Sequence, residues 1–287
     1  MNKKVYSYWF LIPIGLVYVV IFIVPTFISF FFSMTRWTLV EWDYIGFRNF
    51  TTFFSEIQMV TSLRNTIVYA LTTSGLKTVF GLLLGAFLCS SLNLRTRSFL
   101  RSMIFFPTLL STLAVGIAFK SLFHPTKGLI NSAIGLLGLK GPDWLGNVSL
   151  ALGSVIFVDL WKGVGMATVI YIAGIMAIDP QYYEALQIDG GGWWHKFRYI
   201  TLPLCRPAMN SVIILSFITG LRTFDLIWVM TNGGPGFTTD VLASVIYKQY
   251  SNGYYGLATA GNVVMLLLVA LLAFPLFWWL NRKEAIL

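Results

Sequence analysis

Hydrophobic and polar positions alternate in long blocks along this chain, with no two-residue or heptad rhythm. Six apolar runs, over about 9–34, 67–92, 103–123, 150–178, 208–230 and 257–280, are each broad enough for a helix to cross hydrocarbon, which takes roughly 20 mainly apolar residues. The pattern predicts an all-α integral membrane protein of six transmembrane helices, with residues 1–287 as a single domain. The first run follows Lys3 and Lys4 as a signal peptide would, but it is too long for an apolar h-region of roughly 7–15 residues. No small-residue cleavage site follows it, so it is expected to remain as an anchor.

Composition agrees with this reading. Hydrophobic residues make up 57% of the 287, and charged residues only 11%. A soluble domain carries about 25% charged residues, so this chain has too few to cover a water-facing surface. The net charge of +9 could point to nucleic acid, but the basic residues flank the apolar runs, as membrane orientation requires. Lys3, Lys4, Arg95, Arg97, Arg101, Lys196, Arg198, Arg206, Arg282 and Lys283 crowd the ends of spans on one side. On the other side, Arg36, Arg48, Arg64, Lys120, Lys127, Lys140 and Lys248 mix with acidic residues or lie in longer loops. Both termini are therefore expected in the cytoplasm. The 35–65 loop, the longest outer segment, is expected to hold short interfacial helices. Cys89 and Cys205 are far apart in sequence, and His124 and His195 are isolated. Neither a disulfide framework nor a metal site follows from them.

The segment between spans four and five carries the most information. Asp179 is a good helix N-cap, Pro180 suits the first helical position, and Gly190 supplies a left-handed stop. These signals bracket a helix about 15 Å long at 1.5 Å per residue. Gly190-Gly191-Gly192 then permits a change of direction. Trp193, Phe197 and Ile200 fall on one helical stripe that Pro203 is expected to end. Two short helices at an angle are thus expected over 179–203.

Glu184-Ala185, then Gly190, then Ile200-Thr201-Leu202-Pro203 resembles the EAA loop of binding-protein-dependent ABC importer permeases. The family pattern is E-A-A, three residues, G, nine residues, I-x-L-P, and the spacing here matches throughout. This chain departs from it at Leu186, where a second Ala is usual, and at Gly191, where Ala usually follows the Asp189-Gly190 pair. Gly46-Phe47-Arg48-Asn49-Phe50, Phe224-Asp225 and Thr231-Asn232-Gly233-Gly234-Pro235, followed by Thr238 or Thr239, extend the likeness to the maltose/glycerol-phosphate-type sugar permeases. Among these the chain resembles the members without a C-terminal tail entering the ATPase dimer, since it runs only to Glu284-Ala285-Ile286-Leu287 after the last apolar run. The resemblance implies a heterodimer with a second homologous permease, two ATPase subunits, an extracytoplasmic solute-binding protein and a carbohydrate cargo. It also implies that the 179–203 loop couples to the ATPase, with Glu184, Ala185, Leu186, Asp189, Gly190, Ile200 and Pro203 as its working positions, in the cell's inner (plasma) membrane. A polyol, a uronate or a phosphorylated sugar would fit the same architecture. An ATP-independent secondary transporter is the rival of a different class.

The chain has no G-x-x-x-x-G-K-[ST] phosphate loop, no Gly-Lys dipeptide and no Ser/His/Asp set in a supporting context. No catalysis is expected of it and no cofactor within it; ATP and Mg would bind to the partner ATPase. Two charge pairs do fall inside spans. Asp159 with Lys162, and Arg222 with Asp225, stand at i,i+3 spacing. An ion at a helix centre costs roughly 2.5–3.5 kcal/mol on insertion scales, so these groups are expected to face the bundle interior or water. They either line the pathway, through an Asp159–Arg222 bridge between helices, or pair locally for packing. Trp161, Tyr171 and Trp228 are aromatic candidates for stacking on a sugar; Lys77 stands alone in mid-span.

Overall fold

The computed structural model describes residues 8–282 apart from Leu39, Ser91 and Leu92; Lys3, Lys4 and Lys283 lie outside the described residues. The architecture is helical, with one small hairpin. In chain order it comprises α1 (Trp9–Ser33), β1 (Thr35–Trp37), β2 (Trp42–Tyr44), α2 (Arg48–Ser55) and α3 (Ile57–Leu88). Then follow α4 (Leu94–Leu109), α5 (Thr112–Leu122), α6 (Leu129–Leu136), α7 (Ala151–Met176), α8 (Pro180–Ile188) and α9 (Trp193–Leu204). The chain continues through α10 (Arg206–Leu221), α11 (Asp225–Met230), α12 (Leu242–Ser251) and α13 (Tyr255–Asn281). Among the described residues, four helices are long and apolar enough to cross a membrane, or up to six if two bent pairs each count as one span. The spans expected at 9–34, 150–178 and 257–280 match α1, α7 and α13 closely.

The other three expected spans are corrected. The second begins at Ile57, not 67, so the 35–65 loop is shorter than its polarity suggested. It opens with an antiparallel β-hairpin, Arg36 opposite Asp43, where only short helices were expected. The third is two helices, α4 and α5, bent by 95° across Leu110 and Ser111, both of which have extended ψ angles. The fifth is broken as well: α10 ends at Leu221, Arg222–Phe224 leave the helix, and α11 resumes at Asp225. Pro203 does not stop α9 but lies within its last turn, and the 67° bend comes at Cys205, just before Pro207 opens α10. Each of two π-helical turns, Val19–Ile23 and Phe197–Thr201, ends two residues before a proline, Pro25 and Pro203. A proline cannot donate to the carbonyl four residues back, and a widened turn accommodates the loss.

The chain forms two compact units. One joins the residues up to Val60 with Val245–Leu267. In it the Asn49 side chain donates to the carbonyls of Ser33 (2.9 Å) and Thr35 (2.8 Å), tying α2 to the end of α1 and to the hairpin. Phe53 and Met59 are buried in this unit, whereas α1 exposes apolar side chains along its length.

The second unit spans Thr61–Ser244 and Leu268 onward. One core cluster brings Tyr69 of α3, Val115 of α5, Val155 and Val158 of α7, and Leu226 and Ile227 of α11 together. Another collects Leu82 and Ala86 of α3, Ala167, Tyr171 and Ile175 of α7, Phe197 of α9, Cys205 at the bend, and Val212 of α10. Small residues let α3 and α7 approach closely: a Cβ on Gly81 would lie 2.8 Å from the Ala167 Cβ, and one on Gly85 2.9 Å from the Tyr171 Cβ. This Gly81-x-x-x-Gly85 spacing is the usual device for packing helices in lipid.

Candidate coupling segment and the charges inside the spans

The helix expected between Asp179 and Gly190 is present as α8. The Asp179 carboxylate accepts from the Gln181 N–H at 2.9 Å, and Pro180 occupies the first helical position. At the far end Gly190 has φ +79°; its N–H reaches the Gln187 carbonyl at 3.1 Å and the Gly191 N–H reaches that of Leu186 at 2.8 Å. This paired 5→2 and 6→1 closure is a Schellman motif, which needs a left-handed residue that glycine supplies without strain.

No residue of α8 is buried. Glu184, Ala185 and Asp189 are exposed, Ile188 is 88% exposed, and Leu186 is half-buried. The rod is held to α9 by a few contacts. The Tyr183 hydroxyl and Thr201 Oγ1 are 3.0 Å apart, and Lys196 Nζ donates to Gln187 Oε1 at 2.9 Å. Burial raises the Tyr183 phenol above its usual range. Phe197 and Ile200 are buried, and Pro203 is half-buried in the following turn. The arrangement is therefore a solvent-facing rod on a buried footing. A cavity of about 800 Å³ beside it is lined by Arg97, Tyr183, Glu184, Gln187, Trp193 and Lys196, among others.

The charges inside the spans are arranged differently from the sequence expectation. Asp159 pairs with neither Lys162 nor Arg222. Its Oδ2 takes a 2.7 Å salt bridge from Lys77 Nζ, with the two side chains only 18% and 7% exposed. Lys77 lies on α3, 82 positions away. Its path runs over Gly163, where a Cβ would come within 2.6 Å of the Lys77 Cε. Lys162 contributes its backbone carbonyl to the Thr108 hydroxyl at 2.9 Å, joining α7 to α4. Arg222 and Asp225 are both exposed and flank the break between α10 and α11; the helix that would have stacked them one above the other is interrupted.

The aromatic candidates separate as well. Tyr171 is 0% exposed and belongs to the core under Gly81 and Gly85. Trp161 packs edge-on against Phe119 with ring centroids 5.1 Å apart, and Trp228 stacks on Phe224 at 5.5 Å. The Thr231–Pro235 motif forms a turn, with positive φ at Asn232 and Gly233. Both threonines that follow close it: the Thr238 hydroxyl donates to the Pro235 carbonyl at 2.6 Å and that of Thr239 to the Gly234 carbonyl at 2.7 Å. Asn65, unnoticed in the sequence, clamps this turn by donating to the carbonyls of Thr238 and Asp240, both at 2.9 Å.

The rod, its caps and its footing span the part of the chain where a family model matches. Residues 77–284 match the model of the binding-protein-dependent transport system inner membrane component. The chain belongs to that family. Over 99% of both sequences the permease is 31% identical to the probable ABC transporter permease protein YurN of Bacillus subtilis. It is 30% identical, over 92% of its own length and 89% of the relative's, to the trehalose/maltose transport system permease protein MalF of Thermococcus litoralis. The arabinooligosaccharides transport system permease protein AraP of Bacillus subtilis is also 30% identical, over 93% of the chain and 87% of that relative. In fold, the permease is similar to a chain of a bacterial ABC transporter involved in the import of the acidic polysaccharide alginate. The TM-score is 0.80 at 24% identity, covering 98% of this chain and 96% of that one. A second structure of an alginate transporter, in complex with an alginate pentasaccharide-bound periplasmic protein, gives 0.81 at 24% identity, covering 96% and 93%. The permease is thus a multi-pass membrane protein of the ABC importer type, and the sugar-permease likeness read in its motifs extends across nearly all of its length.

Proposed function

We propose that this permease forms one half of the translocation pore of an ATP-driven importer in the cell's inner membrane, carrying a sugar or oligosaccharide inward. A second, homologous permease completes the pore, an extracytoplasmic solute-binding protein delivers the cargo, and two ATPase subunits bind below. The chain crosses the membrane six times with both ends in the cytoplasm, each bent pair serving as one span. ATP and Mg belong to the ATPase subunits, and this chain catalyses nothing.

The observation that carries this reading is α8, a capped rod with no buried residue, joined at its ends to α7 and α9, each of which is anchored by buried side chains. A rigid element on short tethers passes rigid-body motion of a soluble partner to the spans on either side, here α7 and α9–α10. Glu184 offers a charge to a basic group of the ATPase, Ala185 allows close approach, and Gly190 sets the angle at which the rod leaves. The break at Arg222–Phe224 supports a pathway there, since non-helical backbone at membrane depth is tolerated where it is buried in protein or lines water. Asp159, Trp161, Lys162, Arg222, Asp225 and Trp228 are the side chains this reading assigns to the pathway region. Carbohydrate cargo rests on the names of the relatives with which the chain aligns over nearly its whole length.

The test is to purify the chain with its co-expressed neighbours and identify the ATPase that comes with it. Uptake in liposomes is then measured with two probes, neutral maltotriose and an acidic alginate trisaccharide. ATP-dependent uptake of a sugar probe supports the proposal. Uptake that persists without ATP, or an unchanged complex and unchanged uptake after Glu184→Ala/Gly190→Leu, would overturn it.

A further inference from the structure

The two positions where the coupling motif departs from its family pattern touch each other. Leu186 stands near the C-terminal end of α8 and Gly191 just after the stop, at positions where the pattern that the motif resembles has alanine. A Cβ on Gly191 would lie 2.6 Å from Leu186 Cγ, 3.0 Å from its Cδ1 and 2.9 Å from its carbonyl oxygen. No Cβ is found so close to another carbon. The same Gly191 N–H closes the helix on the Leu186 carbonyl at 2.8 Å, so the backbone cannot open far enough to clear the leucine side chain without breaking the stop. Gly191 has no positive φ, and its conformation is therefore open to any residue. Space, not backbone strain, demands glycine here.

We propose that Leu186 and Gly191 act as one compensated unit that sets the angle between the rod and α9, and so the fit of the rod to the ATPase. This rests on the coupling reading above. The leucine folds back over the glycine, is half-buried there, and so leaves Glu184, Ala185 and Ile188 as the exposed surface. An alanine at 191 drives the Leu186 side chain outward or tilts the rod; either changes the surface offered to the partner. If Leu186 is also alanine, the Cγ and Cδ1 obstacles vanish and only the 2.9 Å approach to the carbonyl oxygen remains, just inside the shortest separation a Cβ adopts. The leucine at 186 therefore requires the glycine at 191, whereas an alanine at 191 requires a small residue at 186. Both are positioning residues, acting through the orientation of α8.

The experiment compares Gly191→Ala, Leu186→Ala and the double variant in the full complex. It reads the yield of the permease itself, the ATPase retained per permease on purification, and vanadate-sensitive ATP hydrolysis in proteoliposomes. Gly191→Ala is expected to leave the permease yield within twofold while ATPase retention and hydrolysis fall at least tenfold. Leu186→Ala is expected to cost less than threefold, and the double variant to return to within threefold of wild type. A harmless Gly191→Ala, or a double variant as impaired as Gly191→Ala alone, overturns the inference. The Glu184→Ala/Gly190→Leu variant runs in parallel: if it too retains the ATPase, the coupling reading itself has failed and not merely the pairing.

Discussion

Replacing either partner of the Lys77–Asp159 bridge should destabilise the permease far more than replacing both. The bridge lies well inside the apolar part of α7, about 12 Å from its first residue at 1.5 Å per residue. The side chains are 7% and 18% exposed, so each charge has lost most of its hydration and relies on the other. Leaving one buried ion without its partner costs roughly 3–5 kcal/mol, and insertion scales put a lone ion at about 2.5–3.5 kcal/mol. Asp159→Asn or Lys77→Met alone should therefore cost about 3 kcal/mol, close to a hundredfold in the folded-to-unfolded ratio. The pair Lys77→Met/Asp159→Asn removes both charges and leaves one buried amide, at roughly 1–2 kcal/mol. The assay is unfolding of the purified full chain in mixed micelles by added SDS, followed by circular dichroism, as a double-mutant cycle. The double variant should cost at least about 2 kcal/mol less than the sum of the singles. A cycle that sums to within about 0.5 kcal/mol would refute the reasoning, since it would mean that the two charges do not sense each other.

Gly163→Ala places a methyl 2.6 Å from the Lys77 Cε; it should cost roughly 1–3 kcal/mol by overpacking, and much less in a Lys77→Ala background, which has no Cε, measured by the same unfolding assay. Asn65→Leu leaves the buried carbonyls of Thr238 and Asp240 without the side-chain donor they share. It should cost about 1–3 kcal/mol and raise protease cleavage within 231–240. Tyr183 is an acid whose pKa is raised in the folded state by burial, so the native form holds its proton to higher pH than the unfolded chain. That stability is intact below the usual phenol value of 10.0 and is lost as pH rises through the raised folded value. Protection of α8 against hydrogen exchange should fall more steeply above pH 10 in the wild type than in Tyr183→Phe.

Local signals carried a large part of this structure. Apolar runs of sufficient length determined that the chain is helical and crosses a membrane, because lipid demands internally satisfied backbone over a fixed thickness. Asp179, Pro180 and Gly190 determined α8 to the residue, because caps act within one helical turn and need nothing from the rest of the fold. The Gly81-x-x-x-Gly85 spacing gained its meaning only from the structure, which sets both glycines against α7.

Contacts between distant segments settled the rest. Asp159 has a lysine three positions on, yet takes its bridge from Lys77, because α3 and α7 come together through glycines at 81, 85 and 163. The apolar runs across Leu110 and around Arg222 read as continuous spans, and the chain bends or breaks in both. Hydropathy records what a residue dissolves in but not the direction in which the backbone leaves it. Likewise, the departures at Leu186 and Gly191 read as two separate changes in sequence. Only the closure of α8, which brings the glycine against the leucine side chain, makes them one.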